Sequence, residues 1–211
     1  MFDYLNDPQA IYEASFKAIR KETDFSTIPE SLQPLAERVV HSVANPEIVT
    51  SLKWSDGAAE IGIKALKEGA AILCDAEMVK NGIITRNLPA QNEVVCTLNE
   101  PSVPGTAKRN GTTRSAAAVE LWMPYLLEDA IVAIGNAPTT LFYLLERIIE
   151  DGWPAPALIL GFPVGFIGAA ESKQALIDHA GGIPYITLKG RLGGSAMAAS
   201  AVNALANGNE G

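Results

Sequence analysis

The sequence predicts an α/β fold: a single three-layer α/β/α domain with a mostly parallel sheet of about five strands and N-terminal helices packed beside it. Three observations carry this expectation. Short apolar runs recur from about residue 55 onward, stretches of helical length separate them, and 48% of the 211 residues are hydrophobic, enough to cover a sheet on both faces. No linker or low-complexity segment divides the chain, so one domain over residues 1–211 is expected, with 206–211 as a loose tail.

The first helix starts at Asp7-Pro8, an N-cap acid before a first-turn proline. Tyr12, Phe16 and Ile19 share one stripe, and Ile11 and Ile19 a second beside it. Ser15 lies four residues from each isoleucine, so its hydroxyl either bonds back to its own helix, which the spacing favours, or is offered to a ligand over the helix. A second helix begins near Pro29, with Leu32, Leu35, Ala36, Val39, Val40 and Val43 on its apolar face and Asn45-Pro46 as its stop. Arg38 and His41, three residues apart, are neighbours flanking that face. Strands are then expected at 70–75, 92–98, 129–135, 156–161 and 184–190, short apolar runs of the kind buried in parallel sheets. Helices are expected between and after them, over "DGAAEIGIKALKEG", "TRSAAAVELWMPYLLE", "PTTLFYLLERIIED", "AESKQALIDHAGG" and "GGSAMAASAVNALANG".

Composition excludes several functions. A net charge of −8 opposes nucleic-acid binding, which needs a basic surface. It leaves room for a small anion held by local arginines. The start, "MFDYLNDPQ", carries acids where a secretory signal would be basic and then apolar. The uncharged run 155–170 is broken by prolines and glycines and is too short to span a membrane. A cytoplasmic protein is expected. Cys74 and Cys96 fall in predicted strands without metal-ligand spacing and read as reduced thiols, and with two histidines no metal site is expected.

Ligands of parallel sheets bind beyond the carboxyl ends of the strands. Those ends carry Asp75-Ala-Glu77, "GNAPT" with Gly135 and Asn136, "GFPVGF", and "GRLGGS" with Gly193 and Gly194. Glycines admit close backbone approach, although tight turns also use them for geometry alone. Neither GxGxxG after a strand nor GxxxxGK[ST] occurs, which argues against a nucleotide enzyme, and GxSxG is missing for a serine hydrolase. The segment 99–118 reads as a long polar loop whose Lys108, Arg109 and Arg114, together with Arg38, Arg86 and Arg191, could form a cationic pocket or a solvated surface. His179, before a Gly-Gly stop, reads as a helix-end residue. His41 then has few rivals for proton transfer, since imidazole titrates near neutrality, yet a lone helix histidine is more often structural.

The blocks "AIYEASFKAIR", "ERVVHSVA", "ILCDAEMVKNGI", "NEVVCTL", "TRSAAA", "VAIGNAPTTLF", "LILGFPVGFIGAAESKQAL" and "GRLGGSAMAASAVNALA" resemble the precorrin-8X methylmutases of cobalamin biosynthesis, from residue 11 to about 206. The resemblance implies an isomerase that moves a methyl group from C-11 to C-12 of the macrocycle, giving hydrogenobyrinic acid, or the same shift on cobalt-precorrin-8 giving cobyrinic acid. It implies His41 as proton donor and acceptor, Ser15 and Arg38 as substrate contacts, no cofactor, and a homodimer with its site near the subunit boundary. Contacts to the tetrapyrrole from Arg86, Arg114, Gly135, Asn136, Gly193 and Gly194 are expected on position and residue chemistry. A tetrapyrrole-binding protein without catalysis is the alternative.

Overall fold

The computed structural model describes Phe2 and residues 4–208. Helix α1 (Pro8–Glu22) starts as expected, with the Asp7 carboxylate accepting from the Ala10 N–H at 2.7 Å. Helix α2 is shorter at its start than the apolar stripe suggests: Glu30–Leu32 form one 3₁₀ turn, and α2 proper is Gln33–Val43. Ala44, in the left-handed region with φ 50°, ends it before Asn45-Pro46.

Six strands follow: β1 (Leu52–Trp54), β2 (Ile72–Cys74), β3 (Val94–Val95), β4 (Ile131–Ile134), β5 (Leu158–Gly161) and β6 (Tyr185–Leu188). The helices between and after them are α3 (Ala58–Lys67), α4 (Glu77–Gly82), α5 (Val103–Asn110), α6 (Arg114–Ala118), α7 (Met123–Leu126), α8 (Pro138–Asp151), α9 (Ala169–His179) and α10 (Ser195–Ala206). The sheet runs β1-β6-β5-β4-β2-β3, all parallel except β1 against β6. β1 is the strand beyond the expected five: three residues leaving a 3₁₀ turn pair Leu52 with Leu188 and Trp54 with Ile186.

Strand residues alternate between two cores, as pleating requires. Ile131 and Ala133 of β4 join Ile72, Leu158 and Ile186 beneath α2, α3 and α10; Val132 and Ile134 join Ile159 beneath Leu141, Leu144 and Leu176 of α8 and α9. α1 packs outside α2 and adds a further helical layer there.

Two local expectations need correction. Residues 99–118 are not an irregular loop: Pro104 supports the first turn of α5, and Gly111, left-handed at φ 60°, closes it. Only Val103 and Ala107, four apart, are buried on α5, too few to reveal a helical period. The expected helix over 113–128 is broken into α6, a 3₁₀ stretch (Val119–Trp122) and α7. Cys74 is buried in β2, whereas Cys96 lies one residue past the short β3; both thiols are free. At the other end, Ala206 is the last residue of α10, Asn207 and Gly208 bond back to Asn203 and Leu205, and 209–211 lie outside the described residues.

Candidate active site

The chain passes from β2 to β3 on one side, then returns to place β4 on the other side of β2. Parallel sheets open their ligand crevice at such a reversal, beyond the carboxyl ends of the two strands. Asp75, the residue after β2, occupies this point. Its carboxylate is 3% exposed and accepts the N–H groups of Gly135 (2.9 Å), Asn136 (2.9 Å) and Ala137 (2.7 Å) from the turn after β4. Burial pushes the carboxyl above its ordinary value, and the three donors draw it back.

That turn is wedged against the start of α10. A side chain at Gly135 would put its Cβ 2.6 Å from the Ser195 Cα, so only glycine fits. Gly193 is equally confined, pressed onto the carbonyls of Phe162 and Pro163, and the Gly194 N–H donates to the Phe162 carbonyl at 2.8 Å. Asn136 is exposed beside these turns. Arg114, exposed at the start of α6, reaches over the ends of β2 and β3: it donates to the Leu98 carbonyl (3.2 Å) and to Asn99 (3.1 Å), whose amide donates to Glu77 (3.4 Å).

Ser15, Arg38 and His41 form a second group, on α1 and α2. The Phe16 ring lies between Tyr12 (centroids 4.5 Å apart) and the His41 imidazole, stacked at 5.1 Å with 21° between the planes. Arg38 donates to the Tyr12 hydroxyl at 3.0 Å and sits 5.8 Å from the Phe16 ring centre. Among the described residues it pairs with no carboxylate. Its fork is therefore oriented yet open to an anion. Arg20, one turn past Phe16, is bound to Glu37 at 2.8 Å instead. His41 is exposed, with its ring plane set by Phe16. The Ser15 hydroxyl donates to the Ile11 carbonyl at 2.8 Å, the intrahelical bond that its spacing favours. A cavity of about 400 Å³ opens between Tyr12, Phe16, Glu37 and Arg38 on one side and Ala204 and Asn207 on the other.

The structure thus groups the expected residues in two sets. Gly135, Asn136, Gly193, Gly194 and Arg114 gather at the carboxyl ends of the strands, by the start of α10. Ser15, Arg38 and His41 gather on α1 and α2, where Arg38 faces the end of α10. Arg86 belongs on that side too: Asn203 of α10 accepts from the Ile84 N–H (2.8 Å) and donates to the Gly82 carbonyl (3.0 Å), anchoring the turn that carries exposed Arg86. The two ends of this 12-residue helix are roughly 17 Å apart at 1.5 Å per residue. Among the described residues no group of three or more His, Cys, Asp or Glu side chains could hold a metal.

Sequence reasoning missed three residues here. Phe16 enters the sequence reading only as part of the apolar stripe of the first helix, and Asn203 and Lys173 are not singled out at all. Lys173 is fully buried on α9, its amine donating to the Leu192 carbonyl. Burial pushes this amine down from 10.5 to about 8. Below pH 8 the folded and unfolded chains both carry the charge, and the full burial penalty stands. From pH 8 to 10.5 the folded amine is neutral while the unfolded one stays protonated, so stability rises with pH across that window and not beyond it. Urea unfolding at pH 7.5 and 10.5 is expected to show the protein gaining up to about 3 kcal/mol relative to Lys173→Met. An equal difference at both pH values would show that the buried charge costs nothing.

A mostly parallel sheet with close-packed glycine turns, an imidazole and a guanidinium held on an aromatic platform, and no nucleotide fingerprint define the class: an α/β enzyme acting on a small molecule. Comparison with known proteins narrows it. The chain belongs to the precorrin-8X methylmutase family, a family of isomerases, whose model matches residues 10–208. It is 55% identical to the precorrin-8X methylmutase of Pseudomonas aeruginosa over 98% of both chains, and 52% identical to that of a Sinorhizobium species over 97% of both. It is 40% identical to the cobalt-precorrin-8 methylmutase of Methanocaldococcus jannaschii, over 81% of this chain and 77% of that one. The crystal structure of the precorrin-8X methylmutase from Thermus thermophilus superposes with a TM-score of 0.81, at 38% identity, covering 93% of this chain and 96% of that one.

Proposed function

We propose that the chain converts precorrin-8X to hydrogenobyrinic acid by moving a methyl group from C-11 to C-12, with His41 as the proton donor and acceptor. The observation that carries this is the pairing of Arg38 and His41 on the Tyr12–Phe16 platform. Stacking leaves the ring nitrogens of His41, which lie in the ring plane, free to exchange a proton. Protonating the conjugated macrocycle makes it poorer in electrons, which eases migration of the methyl with its bonding pair. Arg38 takes a peripheral carboxylate of the substrate, and Ser15 turns its hydroxyl to the ligand from its present intrahelical bond. The apolar faces of Tyr12 and Phe16 suit a flat, largely apolar ring.

Cobalt-free precorrin-8X is preferred over cobalt-precorrin-8 because the relatives named for the former are 55% and 52% identical, against 40% and 36% for two named for the latter. Incubating the purified protein with each substrate and following visible absorbance tests both points. Faster formation of hydrogenobyrinic acid is expected; preference for the cobalt substrate would reverse the assignment, and conversion of neither would leave only a binding role.

A homodimer in the cytoplasm completes the reading. No helix among the described residues is long and apolar enough to cross a membrane. Ile167, 90% exposed, and Met78, 66% exposed, border the carboxyl edge of the sheet, where a second copy would cover them. A partner could also bring its glycine turns and Arg114 towards the α1–α2 group, which one chain holds apart.

Phe16→Leu is expected to keep most of the buried apolar volume but lose both ring pairs. It should cost about 1–2 kcal/mol in denaturant unfolding and lower kcat roughly three- to tenfold by freeing the imidazole. An unchanged kcat would show that stacking does not orient His41.

A further inference from the structure

The buried Lys173 amine is an expensive feature, since it leaves water for a single neutral acceptor, the Leu192 carbonyl. A methionine of similar length would fill the same space without that cost. What the amine does is fix a turn. Arg191, Leu192 and Gly193 are held in succession from the segment after β5 and from α9: the Gly165 N–H donates to the Arg191 carbonyl at 3.3 Å, Lys173 donates to Leu192, and Gly193 is pressed onto Phe162 and Pro163. With the backbone pinned inward, the Arg191 side chain projects outward. Its guanidinium carbon lies 5.6 Å from the ring centre of Phe166, which is 85% exposed. Among the described residues Arg191 pairs with no carboxylate. A cation with open donors beside an exposed aromatic face matches the edge of a flat apolar ring that carries carboxylate arms.

We propose that Arg191 and Phe166 form a substrate subsite, Arg191 taking one peripheral carboxylate and Phe166 bearing on the macrocycle, and that Lys173 is the positioning residue that holds Arg191 there. This rests on the tetrapyrrole reading of the site. Neither side chain exchanges a proton with the reacting carbons, so the subsite contributes to binding and leaves the chemical step alone.

Steady-state kinetics with precorrin-8X on the full chain test it. Arg191→Ala is expected to raise KM roughly tenfold, the scale of one charge-assisted hydrogen bond at a partly exposed site, with kcat within about twofold. Arg191→Lys should recover only part of this, because an ammonium cannot fork. Lys173→Met should raise KM by a similar factor, and the double variant should be no worse than the weaker single one, since both changes remove one contact. An unchanged KM in Arg191→Ala overturns the subsite. KM effects that multiply in the double variant, or a Lys173→Met defect in kcat, overturn the positioning role. If Lys173→Met does not fold, Lys173→Leu, which also lacks a donor, replaces it in the same comparison, and exposed Arg191 still decides the subsite. Loss of turnover in the unmodified protein would instead mean that the tetrapyrrole reading itself is wrong.

Discussion

Replacing His41 with alanine is expected to lower turnover of precorrin-8X by about 10²- to 10⁴-fold, the range a positioned general acid–base group supplies. Affinity for the product, followed by absorbance titration, should stay within about threefold, because the contacts proposed for Arg38 and Ser15 remain. Stability should hardly change: the imidazole is exposed, and its one described aromatic contact is with Phe16, whose ring also packs against Tyr12. No second imidazole can take over. His179 ends α9, which packs with α8 on the opposite face of the sheet from α2. His41→Gln keeps a hydrogen-bonding side chain of similar reach but cannot shuttle a proton, so it should resemble the alanine variant in kcat and the unmodified protein in binding. Wild-type turnover in His41→Ala would sink the acid–base assignment. Wild-type turnover in His41→Gln alone would reduce the residue to orienting the ring.

Much of this was legible because local spacing encodes it. Strands occur at all five expected positions; four are apolar runs buried in the sheet, and the run at 92–98 shrinks to the two residues of edge strand β3, with Val94 only half-buried. β1 escaped notice because Leu52, Lys53 and Trp54 form no such run and become a strand only by pairing with β6. Arg38 and His41 are one helical turn apart, so their adjacency could be read directly. Their platform could not, since Tyr12 and Phe16 meet them across about 25 residues of chain with no local signal. Lys173 shows the same limit: within "AESKQAL" it has the spacing of a surface charge, and only the return of the chain through Leu192 buries it. Asn203 of α10 likewise acquires its role from Gly82 and Ile84, some 120 positions away. What sequence periodicity supplies is the face on which a residue stands; what stands opposite comes from topology.

Asp75→Ala is expected to destabilise the protein by about 2–5 kcal/mol and to depress turnover along with it. Removing the carboxylate strands three N–H donors, two of which belong to the buried residues Gly135 and Ala137, where water cannot readily replace the lost acceptor. Each buried donor left without a partner costs about 1–3 kcal/mol. The loss cannot stay local. Gly135 lies against Ser195 with no room for a side chain, so drift of the 135–137 turn moves the start of α10, and α10 packs along α2, which carries Arg38 and His41. Asp75→Asn should fall between the two, because its carbonyl oxygen can accept but its amide group meets an N–H donor head-on. Denaturant midpoints and kcat of the two variants should therefore decline in the same order, alanine below asparagine. A folded Asp75→Ala with an unchanged midpoint would mean that the turn after β4 is held by its packing against α10 alone, and that the carboxylate at the strand reversal is dispensable.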